Sequence, residues 1–388
     1  MSGPAVAVTG VGVLSPGGAG ADALWRACAG GGAAFRPVEH FDVSRTGAHL
    51  AGFVPEEATG PGAPPPGHPA RLPCLLHRAT GDAVADAARR TGTAVRDPAV
   101  RTALVLGTTD NGGFPSAADW RAWREGRTTV PGAAWEPYAP PVWDGPVVQV
   151  GNASAAGATA LGVGADLLRD GVADRVVVCG VDTVTETAFQ GLASLRTLSP
   201  AGCRPFAARR SGIRISECAA ALVLERAADA PLAHLRGWGS SNEASQAARP
   251  DPEGVAKAVR RALADAGTDP AEIGYVNAHA AGTRHGDAAE LEALGEVLGE
   301  RLPFVPVVSS KAALGHCQGA AGTVEAIVTV LTLHRGEVLA TLGPAERDPR
   351  WDHLDFGGKQ PDRPPSAALT LSCGLGGSNV AVVFGRDA

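Results

Sequence analysis

Short apolar runs alternate with longer segments of helical periodicity along most of the chain. Runs such as 5–13 and 175–183 are rich in valine, too short for helices and bounded by glycine or polar turn residues, which is typical of buried strands. Segments such as 77–92 and 252–267 repeat apolar residues at spacings of three and four, which predicts helices with one buried face. The alternation predicts an α/β fold with mixed sheets and with helices between and around them.

The same patterns place the remaining elements. Strands are predicted at residues 102–110, 147–150, 217–227, 233–241, 273–279, 304–310, 368–377 and 378–386. Helices are predicted at residues 22–30, 154–169, 287–299 and 322–336. The strand–helix rhythm occurs twice, and its two occurrences end alike, in AALVLERA (220–227) and NVAVVFGR (379–386). The sequence therefore predicts two pseudo-duplicated halves, residues 1–228 and 229–388, each with a mixed sheet.

Composition and charge narrow the class of protein. The chain has 388 residues, of which 45% are hydrophobic, so it can bury a large core. Its net charge is −6 and it has no Lys/Arg-rich run, so we do not expect a nucleic-acid partner. No apolar stretch approaches the ~20 residues of a membrane span, and no charged leader precedes the first apolar run. We therefore expect a cytoplasmic protein. Seven cysteines without a CxxC pair favour free thiols and offer no zinc site.

Three glycine- and alanine-rich loops follow predicted strands and carry polar side chains. They read GNASAAG (151–157), NAHAAGTRHGD (277–287) and SSKAALGHCQGAAGTVE (309–325). Loops at the carboxyl ends of strands are where α/β proteins collect catalytic groups. The candidate site residues are Ser154, His279, His316, Lys311 and Glu325. Each also has a structural interpretation, because serine is a favoured helix cap and histidines are often satisfied core residues. Glu325 lies within an apolar helix, so its carboxylate must be paired or hydrogen-bonded.

Ser154 lies at a tight strand-to-helix corner, where backbone N–H groups favour negative charge. It is a candidate nucleophile, a helix cap or the remnant of a lost site. A serine hydroxyl stays protonated at pH 7, so a nucleophilic Ser154 needs a general base, for which His279 or His316 is the candidate. Asn152 either hydrogen-bonds the Ser154 loop or caps the helix itself.

Together these segments resemble the β-ketoacyl synthase family, the elongating condensing enzymes of fatty-acid and polyketide synthesis. The resemblance runs along nearly the whole chain, from VAVTGVGVLSPGGAG (6–20) to LSCGLGGSNVAVVF (371–384). The two histidine loops follow the family patterns NAHGTGT and TKSxxGHxxGAAG, and residues 196–225 resemble its middle signature. The resemblance implies a thiolase-like fold, layered α-β-α-β-α.

The resemblance also implies a mechanism. In the family a cysteine at the corner takes an acyl group, and two histidines then help to decarboxylate a malonyl extender and stabilise the enolate. By motif, His279 and His316 are those histidines, and Lys311 and Glu325 are the charged pair supporting His316. Backbone N–H groups near Ser154 and in the carboxy-terminal loop would form the oxyanion hole. The residues assigned to this substrate and oxyanion region are Asn152, Cys373, Gly374, Leu375 and Gly376.

Four departures from the family pattern surround the acyl pocket. Ser154 stands where the family has cysteine, and the chain is shortened just before it, at PYAPPVWDGP (137–146). Cys373 and Leu375 stand where two phenylalanines are usual, and the middle signature's GEGAG has become SECAA (216–220). An acyl-serine is an oxygen ester, a poorer electrophile than a thioester, so condensation is the least favoured reaction.

Three functions fit this combination. The first is acyl transfer, hydrolysis or cyclisation through Ser154; the second is a non-catalytic partner of an active ketosynthase, like a chain-length factor; the third is decarboxylation of malonyl thioesters. The resemblance implies no resident cofactor, since acyl groups arrive on the phosphopantetheine of an acyl carrier protein or on CoA. It also implies a homodimer, or a heterodimer with another ketosynthase-like chain.

Overall fold

A computed structural model describes residues 5–93, 97, 99–109, 117–127, 145–244, 249–343 and 346–386. The shortened segment noted at residues 137–146 lies outside these described residues, except for Gly145 and Pro146.

Eight strands and six helices form the first part of the described chain. The strands are β1 (Val6–Ser15), β2 (Gly18–Ala19), β3 (Phe35–Pro37), β4 (Leu50–Gly52), β5 (Thr102–Gly107), β6 (Val147–Val150), β7 (Arg175–Asp182) and β8 (Cys218–Glu225). The helices are α1 (Ala21–Arg26), α2 (Glu56–Thr59), α3 (Arg71–Thr91), α4 (Ala117–Arg124), α5 (Ala156–Arg169) and α6 (Glu186–Ser194). A π-helical turn at Ala27–Gly31 continues α1.

Five strands and four helices form the rest of the described chain. The strands are β9 (Ala233–Asn242), β10 (Ile273–Asn277), β11 (Val307–Val308), β12 (Ala367–Gly374) and β13 (Ser378–Gly385). The helices are α7 (Pro252–Ala266), α8 (Arg284–Leu298), α9 (Lys311–Leu314) and α10 (Ala321–Arg335). Short 3₁₀ segments occur at Pro270–Glu272, Gly299–Phe304, Gln318–Ala320 and Pro349–Trp351.

The two halves pair their strands in the same pattern. In the first half the order is β6-β5-β7-β8-β1, with β6, β5 and β7 parallel and β8 antiparallel to both of its neighbours. In the second half the order is β11-β10-β12-β13-β9, with β11, β10 and β12 parallel and β13 antiparallel to its neighbours. This confirms the predicted duplication with a mixed sheet in each half. The division between residues 228 and 229 stays a prediction.

The half-sheets are not separate, which corrects the expectation of two sheets. β1 pairs with β9 antiparallel at Val6–Leu235, Ala7–His234 and Val8–Ala233, so all of these strands form one continuous sheet. This short junction forms because β1 and β9 occupy equivalent edges of the two half-sheets, where each still has unpaired backbone groups.

Helices cover both half-sheets and fill the space between them. α3 packs on β1, β8 and β7, and α7 packs on β9 and β13 with α8 beside it. α5 and α10 contact each other and strands of both half-sheets, so they form the central layer. Every residue from Ala321 to Leu333 is buried, as expected for a helix between the two half-sheets. The order α-β-α-β-α is thus confirmed, with a thiolase-like fold.

Several predicted boundaries move for identifiable reasons. α3 begins at Arg71 instead of residue 77, because Pro73 lies in its first turn, where no backbone donor is needed. α8 begins at Arg284, three residues early, because the Thr283 hydroxyl accepts from Gly286 N–H and caps it. The strand predicted at 304–310 shrinks to Val307–Val308, since residues 299–304 form a 3₁₀ turn.

Candidate active site

Ser154 lies at a strained corner and does not cap the following helix. α5 begins at Ala156, and its cap position is Ala155, without a side-chain hydrogen bond, so the interpretation of Ser154 as a cap is wrong. Ala153 has φ 46°, in the left-handed region that costs an alanine on the order of 1 kcal/mol. Among the described residues, the half-buried Ser154 hydroxyl has no hydrogen-bond partner. Asn152 points elsewhere: its amide donates to Thr159 Oγ1 at 2.9 Å.

The loop between β12 and β13 lies against this corner. A Cβ at Gly374 would be 3.1 Å from Asn152 O and 3.4 Å from Ser154 N, so the two backbones are in close contact. The backbone N–H groups of Ser154 and Leu375 donate to no other described residue, as an oxyanion site requires. Gly376 has φ 92°, a turn conformation that favours glycine. Burial raises the pKa of the neighbouring Cys373 thiol well above its ordinary value, which makes it a poor nucleophile.

His316 is held with a defined proton position. Its backbone N–H donates to Arg214 O at 2.6 Å, and its carbonyl accepts from Ser216 N–H at 2.9 Å. Its Nδ1 accepts from Gln318 N–H at 3.0 Å, so in the neutral ring the proton is on Nε2. Burial, reinforced by the charge of Lys311, lowers the pKa of His316 to about 3. The ring is therefore a neutral hydrogen-bond donor at physiological pH.

His279 lies two residues after the end of β10, and it is held through its backbone. Its N–H donates to Glu290 Oε1 at 2.6 Å, and the next N–H, of Ala280, donates to Glu290 Oε2 at 2.7 Å. Its Nδ1 is buried without a partner among the described residues, so no contact fixes which nitrogen carries the proton. The rings of His279 and His316 meet edge to face, with centroids 5.4 Å apart. Burial and then the charge of Lys311 lower the pKa of His279 well below its ordinary value.

A buried ion pair lies behind the two rings. Lys311 Nζ bonds Glu325 Oε1, and both side chains are about 1% exposed. Burial raises the pKa of Glu325 to about 7, although the ammonium group opposes that shift. The pair thus supplies the partner that a carboxylate within an apolar helix needs. After burial, its ammonium charge is the next cause that lowers the pKa of both imidazoles.

Two further buried carboxylates, Glu290 and Asp287, shape the His279 loop, and neither is among the residues predicted from the sequence. Burial raises the pKa of Glu290 to about 8. Asp287 accepts from the N–H groups of Gly282 and Thr283 at 3.0 and 3.1 Å and from Phe206 N–H at 2.9 Å. The sequence did carry a signal for them, because Asp287 and Glu290 lie three residues apart on the face of α8 that buries Leu291 and Leu294. An acid on an apolar stripe needs a specific partner.

Ser154 and both imidazoles line one cavity of about 920 Å³, together with Cys373, Gly374 and Leu375. The buried side chains of Lys311 and Glu325 do not line this cavity, and neither does Asn152. Among the described residues, no three or more His, Cys, Asp and Glu side chains come together as a metal site would require. The expectation of no resident cofactor stays a prediction. No described helix is long and apolar enough to cross a membrane.

Comparison with known proteins agrees with the thiolase-like fold. A model of the "Beta-ketoacyl synthase, N-terminal domain" matches residues 142–230, and the corresponding C-terminal domain model matches residues 232–344. Over 419 aligned positions, the chain is 30% identical to the tetracenomycin polyketide synthase ketoacyl synthase alpha subunit of Streptomyces glaucescens, covering 98% of this chain and 97% of that protein. The chain belongs to the β-ketoacyl synthase family.

Other relatives support this assignment. The chain is 38% identical over 253 residues to 3-oxoacyl-(acyl-carrier-protein) synthase 2 of Mycobacterium tuberculosis, covering 61% of this chain and 60% of that protein. The structure described as "The ishigamide ketosynthase/chain length factor" superimposes with a TM-score of 0.85 at 28% identity, over all of both chains. A β-ketoacyl synthase from Burkholderia phymatum STM815 gives a TM-score of 0.84 at 26% identity, over 99% of this chain and 100% of that chain.

Proposed function

We propose that this protein processes acyl thioesters in polyketide or fatty-acid-type biosynthesis and that Ser154 takes up the acyl group. The observation that carries the proposal is that Ser154, His279 and His316 open on one cavity, beside backbone N–H groups that have no acceptor among the described residues. The thioester would be delivered by an acyl carrier protein or by CoA.

The proposed step is transfer of the acyl group from sulfur to oxygen. Ser154 Oγ attacks the thioester carbonyl, the Oγ–C bond forms and the C–S bond breaks. The hydroxyl proton passes to His279 and then to the leaving thiolate. The N–H groups of Ser154 and Leu375 would bind the carbonyl oxygen as it becomes negative.

The assignment of His279 as the base follows from hydrogen bonding. His316 has its Nδ1 occupied by Gln318 N–H, so its Nε2 carries a proton and has no lone pair for the serine. His279 has no contact with the described residues that fixes its proton, and its lowered pKa keeps it neutral. The Ser154 hydroxyl is not hydrogen-bonded to either ring in this structure, and such contacts commonly tighten when substrate binds.

Incubation with acyl-carrier-protein or CoA thioesters, followed by mass spectrometry, tests the proposal. We expect one acyl adduct on the peptide containing Ser154, absent in Ser154→Ala. The control is Ser194→Ala, which changes an exposed serine of α6 and should keep the adduct. Absence of any adduct that depends on Ser154 would contradict the proposal.

Malonyl decarboxylation is a second candidate, favoured by the fixed Nε2–H of His316. A neutral donor aimed at a thioester carbonyl would stabilise the enolate that forms when the carbon–carbon bond to the carboxylate breaks and CO₂ leaves. The enolate then takes a proton at carbon from water. Formation of acetyl thioester from malonyl thioester at the same rate in Ser154→Ala would separate this reaction from acyl transfer.

A chain-length-factor-like role is the alternative without catalysis, and it is suggested by the similarity to a ketosynthase/chain length factor structure. Copurification as a stable heterodimer with a cysteine-bearing ketosynthase, without adduct or decarboxylation, would favour that role. An active homodimer would exclude it.

A further inference from the structure

A buried carboxylate joins three segments of the chain, one of which is the turn that follows His316. Asp182, the last residue of β7, is fully buried. It accepts from Thr108 Oγ1 at 2.7 Å, from the N–H and hydroxyl of Thr109 at 3.0 Å each, and from Gly319 N–H at 2.6 Å. The carboxylate therefore ties the ends of β5 and β7 to the turn that precedes α10. Several donors from different segments converge on this one buried carboxylate, so the segments are held together.

The turn at Gly319 is too tightly packed to adopt another position freely. A Cβ at Gly319 would lie 2.7 Å from Asp182 Oδ2 and 2.7 Å from Thr109 N. A Cβ at Gly157, in the first turn of α5, would lie 2.7 Å from Gly319 O. The turn is thus held between the network around Asp182 on one side and the helix that follows Ser154 on the other.

Gln318 connects this turn to the imidazole. Its φ is 52°, in the left-handed region that residues other than glycine seldom adopt. Its side-chain amide donates to Thr183 O at 2.9 Å, which anchors it to the residue after Asp182. Its backbone N–H then donates to His316 Nδ1 at 3.0 Å. The Gln318 N–H, which fixes the tautomer of His316, is therefore next in the chain to the Gly319 N–H, which donates to Asp182.

We propose that Asp182 is a positioning residue for His316: it holds the Gln318–Gly319 backbone so that the imidazole keeps its proton on Nε2, facing the cavity. Asp182 does not line the cavity, so it acts through the turn and not on substrate. The chemical consequence rests on the proposed function, since a donor at Nε2 is what polarises a thioester carbonyl.

The test is the tautomer of His316 in the ligand-free protein, read from ¹⁵N spectra of histidine-labelled samples. The His316 signals are assigned by their absence in His316→Gln. In the wild type we expect a pyridine-type Nδ1 and a pyrrole-type Nε2. Asp182→Asn places an amide N–H group against N–H and hydroxyl donors, which removes a hydrogen bond to the turn. We therefore expect the ratio of Nε2–H to Nδ1–H tautomer of His316 to fall about fivefold to tenfold, as for loss of one hydrogen bond. Thermal unfolding confirms that the variant is folded.

Two further variants make the result decisive. Asp166→Asn is the matched control, because Asp166 is a partly buried carboxylate of α5 that bonds Trp238 Nε1 away from the cavity, and it should leave the tautomer unchanged. Gln318→Ala removes the anchor on Thr183 O and should shift the ratio in the same direction as Asp182→Asn. If Asp182→Asn does not fold, Gln318→Ala alone decides.

The proposal would be overturned if folded Asp182→Asn kept the wild-type tautomer, or if Gln318→Ala kept it where that variant decides alone. An equal shift of the tautomer ratio in Asp166→Asn would also overturn it. The spectra need no thioester, so a failed acylation of Ser154 leaves this result standing, and the reverse also holds.

Discussion

The two histidine loops face each other across one cavity but are held in different ways. His316 is fixed at its ring, through Gln318 N–H on Nδ1, whereas the described residues hold His279 only at its backbone, through Glu290. A ring whose proton position is fixed can donate a hydrogen bond repeatedly, and a ring without such a contact can exchange its proton. The two imidazoles are therefore not interchangeable. Under the proposed function, His316 has the donor role and His279 has the base role.

The largest effect is expected from the ion pair behind both rings. Lys311→Met leaves Glu325 buried without its partner and should lower the free energy of unfolding by about 3–5 kcal/mol. The double variant Lys311→Met/Glu325→Met removes the unpaired charge and should recover most of that loss. Denaturant unfolding measures both. A single variant as stable as the wild type would show that the pair does not hold this region together.

The next largest effect is expected on the rate of decarboxylation when the hydrogen-bond donor His316 is removed. We expect His316→Ala to lower malonyl thioester decarboxylation by about 100- to 1000-fold, as for loss of an oxyanion donor. His353→Gln, which changes an exposed histidine, is the control and should have no effect. The rates are followed by chromatography of the acetyl and malonyl thioesters. A loss of less than about tenfold would remove the distinction between the two rings.

Acid should weaken the fold through His316. Its pKa is about 3 in the folded protein and is ordinarily near 6.5. Because the folded value is the lower one, its contribution to stability is complete above pH 6.5 and is lost as the pH falls toward 3. Between pH 6.5 and 5 the wild type should lose about 2 kcal/mol that His316→Gln does not lose. Denaturant unfolding at both pH values measures the difference, and parallel losses would contradict the neutral ring.

A smaller effect is expected at the other loop. Glu290→Gln removes one acceptor for the N–H groups of His279 and Ala280, and we expect about a tenfold fall in Ser154 acylation with less change in decarboxylation. Burial raises the pKa of Glu290 to about 8, so its contribution to stability is present below pH 4.5 and lost as the pH rises through 8. Glu290→Gln should not show this loss of stability as the pH rises. Equal effects on both reactions would indicate a purely structural role.

The sequence predicted the fold well because its strongest signals are local. The buried run of β1 and the continuous apolar face of α10 identify central elements without any tertiary information. The candidate residues Ser154, His279 and His316 do lie on one cavity, and their motifs were the signal. The junction of β1 with β9 could not be predicted, because strand pairing between residues as distant as Val6 and Leu235 leaves no local pattern.

The supporting residues were harder to predict. Asp182 ends an ordinary valine-rich strand, and its role arises only from donors contributed by distant loops. Gln318 gives no sign in the sequence that its backbone is left-handed. The interpretation of Ser154 as a cap failed because the chain turns sharply at Ala153 and the helix begins two residues later than Ser154.

The most direct test of the account is one assay of His279→Gln with malonyl thioester, in which decarboxylation and the mass of the Ser154 peptide are both followed. The account predicts that decarboxylation persists within about tenfold of the wild-type rate, because His316 still donates, while no acyl group accumulates on Ser154. Acylation of Ser154 at the wild-type rate in this variant would contradict the assignment of His279 as the base.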